Sequence, residues 1–431
     1  MSEQNFDAII IGGRPSGVSL AIHLSKGGMQ VLVVDRATFP SKPAIPSMPL
    51  ILPHTLELLS ELGIPESAVA NSGAKLERLQ LEMNGHYAAE IDFAKAMEND
   101  SRGKYFYSIK RDPFDNALWE HLNTFDNVTA KQDFGVSKLL KDESGKVIGI
   151  EGSGGEQYHA DMVIGADGRF SFVANQMDAK AVNEVTENNT DFYFAYWRGG
   201  NYDRDDAMST MHIYSSTQGY QYLIFPLSED EVAISIQMVH DLIPKKSDES
   251  IEDYYEARLK DYPQLWNQIK DAERTSQVWG MKNVRNGYRE VGGDGWALVG
   301  DAVHFKDSID GQGIYDALLG SSILAPIILD WKAGNISWEQ ALTRYQEQLH
   351  EATYDMFMET QGRLKREVYD KPPQFIVKTI LRWVMHDPIY HEKFIGYATR
   401  RYPAKGWASP GLMIGAIVRG MGRDIKKLLP I

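Results

Sequence analysis

The stretch Asp7-Ala8-Ile9-Ile10-Ile11-Gly12-Gly13-Arg14-Pro15-Ser16-Gly17 decides the architecture of this chain. Four apolar residues, Ala8 to Ile11, run into a turn of small residues, and the amphipathic stretch Val18 to Lys26 follows. A second apolar run, Val31 to Val34, ends on Asp35. Strand, glycine turn, helix and strand make a β-α-β unit. Small residues at such a turn let the backbone approach a pyrophosphate held at the helix N-terminus. Asp35 falls where a carboxylate accepts hydrogen bonds from a ribose. The spacing therefore predicts a dinucleotide-binding domain at the start of the chain. Arg14 stands where the G-x-G-x-x-G pattern has its second glycine, so a plain tight turn between strand and helix is the competing reading.

Further along, Val136 to Leu140 and Val147 to Glu151 are short β-like runs, and Met162 to Gly165 is a buried strand feeding Ala166-Asp167-Gly168. From Asp191 to Val239 the pattern turns aromatic and β-branched, with runs Phe192 to Trp197, Met211 to Tyr214, Tyr222 to Phe225 and Val232 to Met238. Turns such as Ser228-Glu229-Asp230 separate them, which predicts an antiparallel sheet. A third buried strand, Trp296 to Val299, ends in Gly300-Asp301, and helical sequence continues to the end. The expected division is a discontinuous cofactor domain (1–80, 105–185 and 280–330), a substrate domain (81–104 and 186–279) and a C-terminal helical region (331–431).

Three segments, around Gly12, around Asp167 and around Asp301, occur in that order. Together they resemble the three motifs of the group A flavoprotein monooxygenases, the aromatic-hydroxylase family. The resemblance runs from about Asp7 to Ala325. Gly12-Gly13-Arg14, Asp35-Arg36-Ala37-Thr38-Phe39-Pro40-Ser41, Phe305-Lys306-Asp307 and Gly313-Ile314 are similar to a branch of that family with arginine in the fingerprint. It implies a mixed α/β fold (α+β), with a Rossmann-like FAD-binding domain, an inserted antiparallel-sheet substrate domain and a helical C-terminus. FAD would then be held by Gly12, Gly13, Ser16, Gly17, Asp35, Arg36 and Gly168, with Arg14 either donating to the pyrophosphate or forming a surface ion pair, and Asp167 lying near the pyrophosphate or ribose. Arg111 matches an arginine that clamps FAD, with Asp115 and Leu118 at helical spacing after it. Gly300 and Asp301 would reach the ribitol, and Gly311, Gln312, Gly313 and Ile314 would open a helix toward the flavin ring. His304 follows the third motif and would lie near the flavin, either tuning a proton near neutral pH or serving as a structural histidine bonded to backbone. Ser308 replaces the usual proline, and Ala174-Asn175 stand where an arginine often closes the second motif.

Composition narrows the remaining possibilities. At 431 residues and 43% hydrophobic content the chain is long enough for two or three units around a sizeable core. A net charge of −14 repels phosphate backbones, so nucleic acid is not an expected partner. With no cysteine, thiolate metal sites and catalytic thiols are excluded. The N-terminus has no basic region ahead of an apolar core, and no window offers about 18 uninterrupted apolar residues, so a cytoplasmic protein without a spanning helix is expected. From Thr399 onward Arg400, Arg401, Lys405, Arg419, Arg423, Lys426 and Lys427 face only Asp424. This tail, with Phe375 to Met385 before it, either contacts an anionic lipid surface or closes over the cofactor domain.

The expected activity is an FAD-dependent monooxygenase that uses NADH or NADPH and oxygen on a small organic substrate. Tyr193, Trp197, His212, Tyr220 and Tyr222 are the candidate pocket aromatics, and each also fits ordinary sheet packing. Flavin-dependent halogenases share the fold and use a lysine and a Trp-x-Trp-x-Ile-Pro segment; the comparable Gly219 to Pro226 lacks both tryptophans. Alkene reductases of the geranylgeranyl-reductase type share the fold as well, and a non-catalytic flavin-binding protein would show the same three motifs.

Overall fold

A computed structural model describes residues 5–43, 47, 50–200, 209–228 and 230–428. Glu229 of the turn read at Ser228 to Asp230, and the last three residues of the basic tail, lie outside them. In chain order the first elements that build the site are β1 (Asn5–Ile11), α1 (Pro15–Lys26), β2 (Val31–Val34), β3 (Arg78–Met83) and β4 (Tyr87–Asp92). Next come α2 (Arg111–Leu122), β5 (Val128–Lys131), β6 (Gln157–Gly165), β7 (Ala181–Arg198), β8 (Thr210–Ser215), β9 (Tyr220–Ser228) and β10 (Glu231–Val239). They are followed by α3 (Ile251–Lys260), α4 (Pro263–Ile269), β11 (Trp279–Arg289), β12 (Trp296–Leu298), β13 (His304–Phe305), α5 (Gly313–Lys332), α6 (Trp338–Leu364), α7 (Pro388–Ala398) and α8 (Pro410–Leu428).

β1 pairs in parallel with both β6 and β2, β2 with β5, and β6 with β12. The chain thus leaves β1 toward one side of the sheet and returns on the other, which opens a crevice beyond the strands' carboxyl ends. β1 and β2 are buried from Ala8 to Ile11 and from Val31 to Val34 because helices cover the sheet. α1 ends at Lys26, where the amphipathic stretch ends, and starts three residues before that stretch, at Pro15. Pro15 occupies its first position, where a missing N–H costs nothing, and Gly27 caps its end.

The second sheet has the strand order β13-β11-β7-β10-β9-β8-β3-β4. It is antiparallel except for β8 against β3, which run parallel from Thr210 and Arg78 onward. That pair departs from the expected all-antiparallel sheet: β3 arrives from a distant part of the chain, so no hairpin dictates its direction. β11 lies in this sheet, so the sheet takes in residues of the 280–330 segment.

The helical C-terminal region is as expected, and α6 opens with a reciprocal capping box between Ser337 and Gln340. α5 alone among the described residues is long and apolar enough to cross a membrane. It is a core helix: Ser321 donates to the Ser16 carbonyl at 2.8 Å, and Leu324, Ile327 and Ile328 are buried.

Candidate FAD site

A cavity of about 560 Å³ lies beyond the carboxyl ends of the parallel strands and reaches the face of the second sheet. At its polar end, Gly12 has φ +113°, and a Cβ there would sit 2.4 Å from the Ala166 carbonyl oxygen. A Cβ on Gly17 would meet the Gly12 carbonyl at 1.8 Å, so glycine is what brings α1 against the turn. Gly13, Gly17 and Gly300 shape the loops from behind, while Gly12, Ser16, Gly168, Gly311, Gly313 and Ile314 line the cavity.

Arg14 sits in extended backbone (φ −107°, ψ −173°), which explains why no glycine is needed at this position. Its guanidinium pairs with Asp115 and donates to the Ser41 carbonyl (3.2 Å), the Ser41 hydroxyl (3.0 Å) and the Lys42 carbonyl (3.2 Å). Both terminal nitrogens are therefore engaged by protein. Arg14 lines the cavity and at the same time fastens the Ser41–Lys42 segment to α2. Arg111 lines the cavity, holds Asp115 from the other side at 3.0 and 3.1 Å, and donates to the Ser47 hydroxyl at 2.7 Å. Asp35 also has a local duty. Its two oxygens accept from the Gly13 N–H (2.7 Å) and the Ala37 N–H (2.8 Å), so the carboxylate braces the glycine turn at the cavity wall. Arg36 beside it is exposed and lines the same wall.

In the second motif one Asp167 oxygen accepts from the Phe172 and Val173 N–H groups at 2.6 and 3.1 Å, capping the short helix Phe172–Gln176. In the third, Asp301 lines the cavity, and burial raises its carboxyl above the ordinary range against the opposing pull of Arg169. Arg169 is itself buried, and it donates to the backbone carbonyls of Arg285 (2.7 Å) and Lys306, tying the second motif to the third. His304 also lines the cavity, stacked on Tyr288 at 4.4 Å between centroids. Burial depresses its imidazole to about 4, so it is neutral at neutral pH.

The start of α5 faces the cavity through Gly311 (φ +67°) and Gly313, whose missing Cβ would meet nothing within 4 Å. Gln312 does not line the cavity, contrary to expectation. Its side chain is buried against His54 (3.1 Å), Arg400 (2.9 Å) and the Ala398 carbonyl (2.7 Å), joining α5 to the C-terminal helices. Lys306, unassigned from sequence, is buried with its ammonium 2.5 Å from Asp310 and 2.8 Å from Asp316. Burial would raise the Asp316 carboxyl, but Lys306 and Arg400 outweigh it and hold it at about 2.

At the apolar end the lining comes from Phe192, Met281 and Val284. Tyr193, Trp197, Tyr220 and Tyr222 point the other way, into a core beneath α3 and α4 with Tyr254, Tyr255 and Leu265. His212 lies on that same face, stacked on Tyr214 at 5.9 Å, and burial lowers it to about 4. None of these five lines the cavity, which corrects the pocket expected from sequence: side chains alternate along a strand, and the neighbouring set faces the site.

The residues present suit FAD on three counts. One Asp167 oxygen and His304 Nε2 are buried without a hydrogen-bond partner among the described residues. The glycines at 12 and 313 leave backbone open to a ligand. The N-termini of α1 and α5 carry partial positive charge, suited to a pyrophosphate and to an electron-rich ring.

The comparisons with known proteins agree. A chlorinase acting on 1H-pyrrole-2-carbonyl-[peptidyl-carrier protein] from Pseudomonas fluorescens is 23% identical over 372 residues, covering 80% of each chain. The flavin-dependent brominase Bmp2 superposes with a TM-score of 0.76 at 20% identity, covering 97% of this chain and all of the other. PqsL of P. aeruginosa, solved with 2-aminobenzoylacetate, does so with a TM-score of 0.69 at 18% identity, over 87% of this chain and 99% of its own. The FAD binding domain model matches residues 5–356, and the chain belongs to that family, the family of the group A flavoprotein monooxygenases.

Proposed function

We propose that this protein is an FAD-dependent monooxygenase that takes electrons from NADH or NADPH and transfers one atom of dioxygen to a small, planar organic substrate. The observation that carries this reading is the continuous cavity joining the glycine turn at Gly12 to the apolar wall at Phe192. Bound there, FAD would supply the electron transfer and the reaction with oxygen that no side chain of this chain can perform.

The protein's own contribution is binding, orientation and exclusion of water. Gly12, Ser16 and the first turn of α1 receive the pyrophosphate, and Asp35 and Arg36 flank the adenosine end. Arg111 and Asp301 line the path toward the ring, with the Asp301 carboxyl accepting from ribitol hydroxyls. The N-terminus of α5 at Gly313 would favour negative charge on a flavin ring bound beside it. Phe192, Met281 and Val284 form a dry wall against which a planar substrate lies.

Two observations favour oxygen insertion over the halogen transfer carried out by the chlorinase and brominase relatives. β9 carries no tryptophan in the Gly219 to Pro226 stretch. Of the two lysines among the described lining residues, Lys306 is held by two carboxylates, and Lys42 sits over the rings of Tyr196 and Trp279 at 5.1 and 5.4 Å. The test supplies the FAD-loaded protein with NADPH, heavy-isotope dioxygen, halide and a panel of aromatic acids and their carrier-protein thioesters. A product with one labelled oxygen atom supports the proposal. A halogenated product moves the protein to the halogenases, and an unlabelled reduced product formed without air moves it to the alkene reductases.

A further inference from the structure

The last described helix, α8, carries Ile414, Val418, Met421, Ile425 and Leu428 in steps of four and three, a single stripe along one face. All five are between 46% and 83% exposed. The opposite face is the one that meets the protein. Ala416 and Gly420 are buried, and a Cβ on Gly420 would strike the Trp383 Cβ at 2.2 Å and its ring at 2.3 Å. Arg419 donates to both oxygens of Asp387 at 2.7 and 2.8 Å, and Asp424 accepts from the Trp383 indole at 2.7 Å. The helix is thus fixed in rotation, with its apolar stripe turned outward.

We propose that α8 lies in the surface of an anionic lipid bilayer and anchors the enzyme there. Charge selects this occupant. Beyond Thr399 the chain has seven cationic residues and one carboxylate, within a protein of net charge −14. Arg400, Arg401, Arg419 and Arg423 pair with Asp316, Glu392 and Asp387, which leaves the exposed Lys405, Lys426 and Lys427 to meet an outside anion. Lys426 and Lys427 are exposed at the end of the stripe. A second copy of the same helix would bring two sets of like charges together, whereas anionic headgroups neutralise them. The stripe runs about 20 Å at 1.5 Å per residue, straight enough to sink along a flat interface.

The test uses full-length, FAD-loaded protein with vesicles of phosphatidylcholine alone or mixed with phosphatidylglycerol. Flotation with the anionic vesicles at low salt is expected, with binding at least about tenfold weaker to neutral vesicles or at high salt. Val418→Asp with Ile425→Asp, both on the outward face, is expected to lower binding at least tenfold while bound FAD and the unfolding temperature stay unchanged. Lys426→Glu with Lys427→Glu is expected to remove the preference for anionic lipid. Because the chain has no cysteine, Met421→Cys accepts an environment-sensitive dye whose emission shifts to the blue on vesicle addition. Wild-type protein that stays unbound with both vesicle types, or a dye that does not respond, overturns the proposal. A dimer without vesicle binding, broken by the same double aspartate variant, overturns it in favour of a second copy.

Discussion

Arg14 pairs with Asp115, a residue 101 positions later whose side chain has no solvent exposure. The same carboxylate takes Arg111 of its own helix four residues back, so two cations at the cavity wall depend on one buried anion. Removing that anion leaves both guanidinium groups uncompensated, a change that costs about 3–5 kcal/mol when a buried pair is broken. Asp115→Ala is therefore expected to lower the urea midpoint of the apoprotein and to weaken FAD binding together. A midpoint equal to wild type would show that solvent carries the two arginines without help.

The protein is expected to purify yellow, with FAD released intact by acid, since no cysteine is available for a thioether link. Asp301→Ala is expected to weaken FAD by about 1.5–3 kcal/mol, the range for a hydrogen bond to a charged group. Arg14→Ala should act differently, by loosening the Ser41–Lys42 segment. Its FAD dissociation should quicken while association stays near the wild-type rate, as stopped-flow fluorescence quenching would record.

The wall at Phe192 and the core at Tyr222 lie on opposite faces of one sheet, and only the first touches the cavity. Phe192→Ala is expected to raise KM or shift substrate preference by about tenfold, in line with the 1–3 kcal/mol that fine differences in apolar pocket contacts carry. Phe192 also belongs to a buried cluster with Phe194 and Tyr196, so the variant's unfolding temperature should fall as well, and the change in KM is what marks the cavity wall. Tyr222→Ala is expected to cost about 3–5 kcal/mol of stability through the cavity left beneath α3 and α4. Steady-state kinetics and thermal melts on the two variants separate these effects.

The strand and helix runs around Gly12 were legible because everything that makes them is local: apolar runs, small residues at the turn, and Pro15 where a helix can begin. The two faces of β7 were not. Phe192, Phe194 and Tyr196 alternate with Tyr193, Ala195 and Trp197, both sets are apolar, and both are buried. Only the packing of α3 and α4 on one side and the cavity on the other distinguishes them. The pairing of Arg14 was hidden for a related reason. Its partner Asp115 was visible as a helical neighbour of Arg111, but nothing in the spacing joins positions 14 and 115.

His304 makes a prediction about pH. Its imidazole is held at about 4 by burial, against an unfolded value near 6.5. The unfolded chain therefore binds a proton between these values while the folded chain does not. The stabilisation from this residue is fully present above about pH 6.5 and is lost as pH falls toward 4, by up to about 3 kcal/mol. His212, depressed to about 4 by burial, contributes in the same direction. His304→Phe, which keeps a ring stacked on Tyr288, is expected to flatten the dependence of unfolding free energy on pH in this window, measured by urea titration at several pH values. An inflection near neutral pH in the rate of turnover that disappears in His304→Phe would contradict this, because a group neutral throughout that range has no proton to exchange.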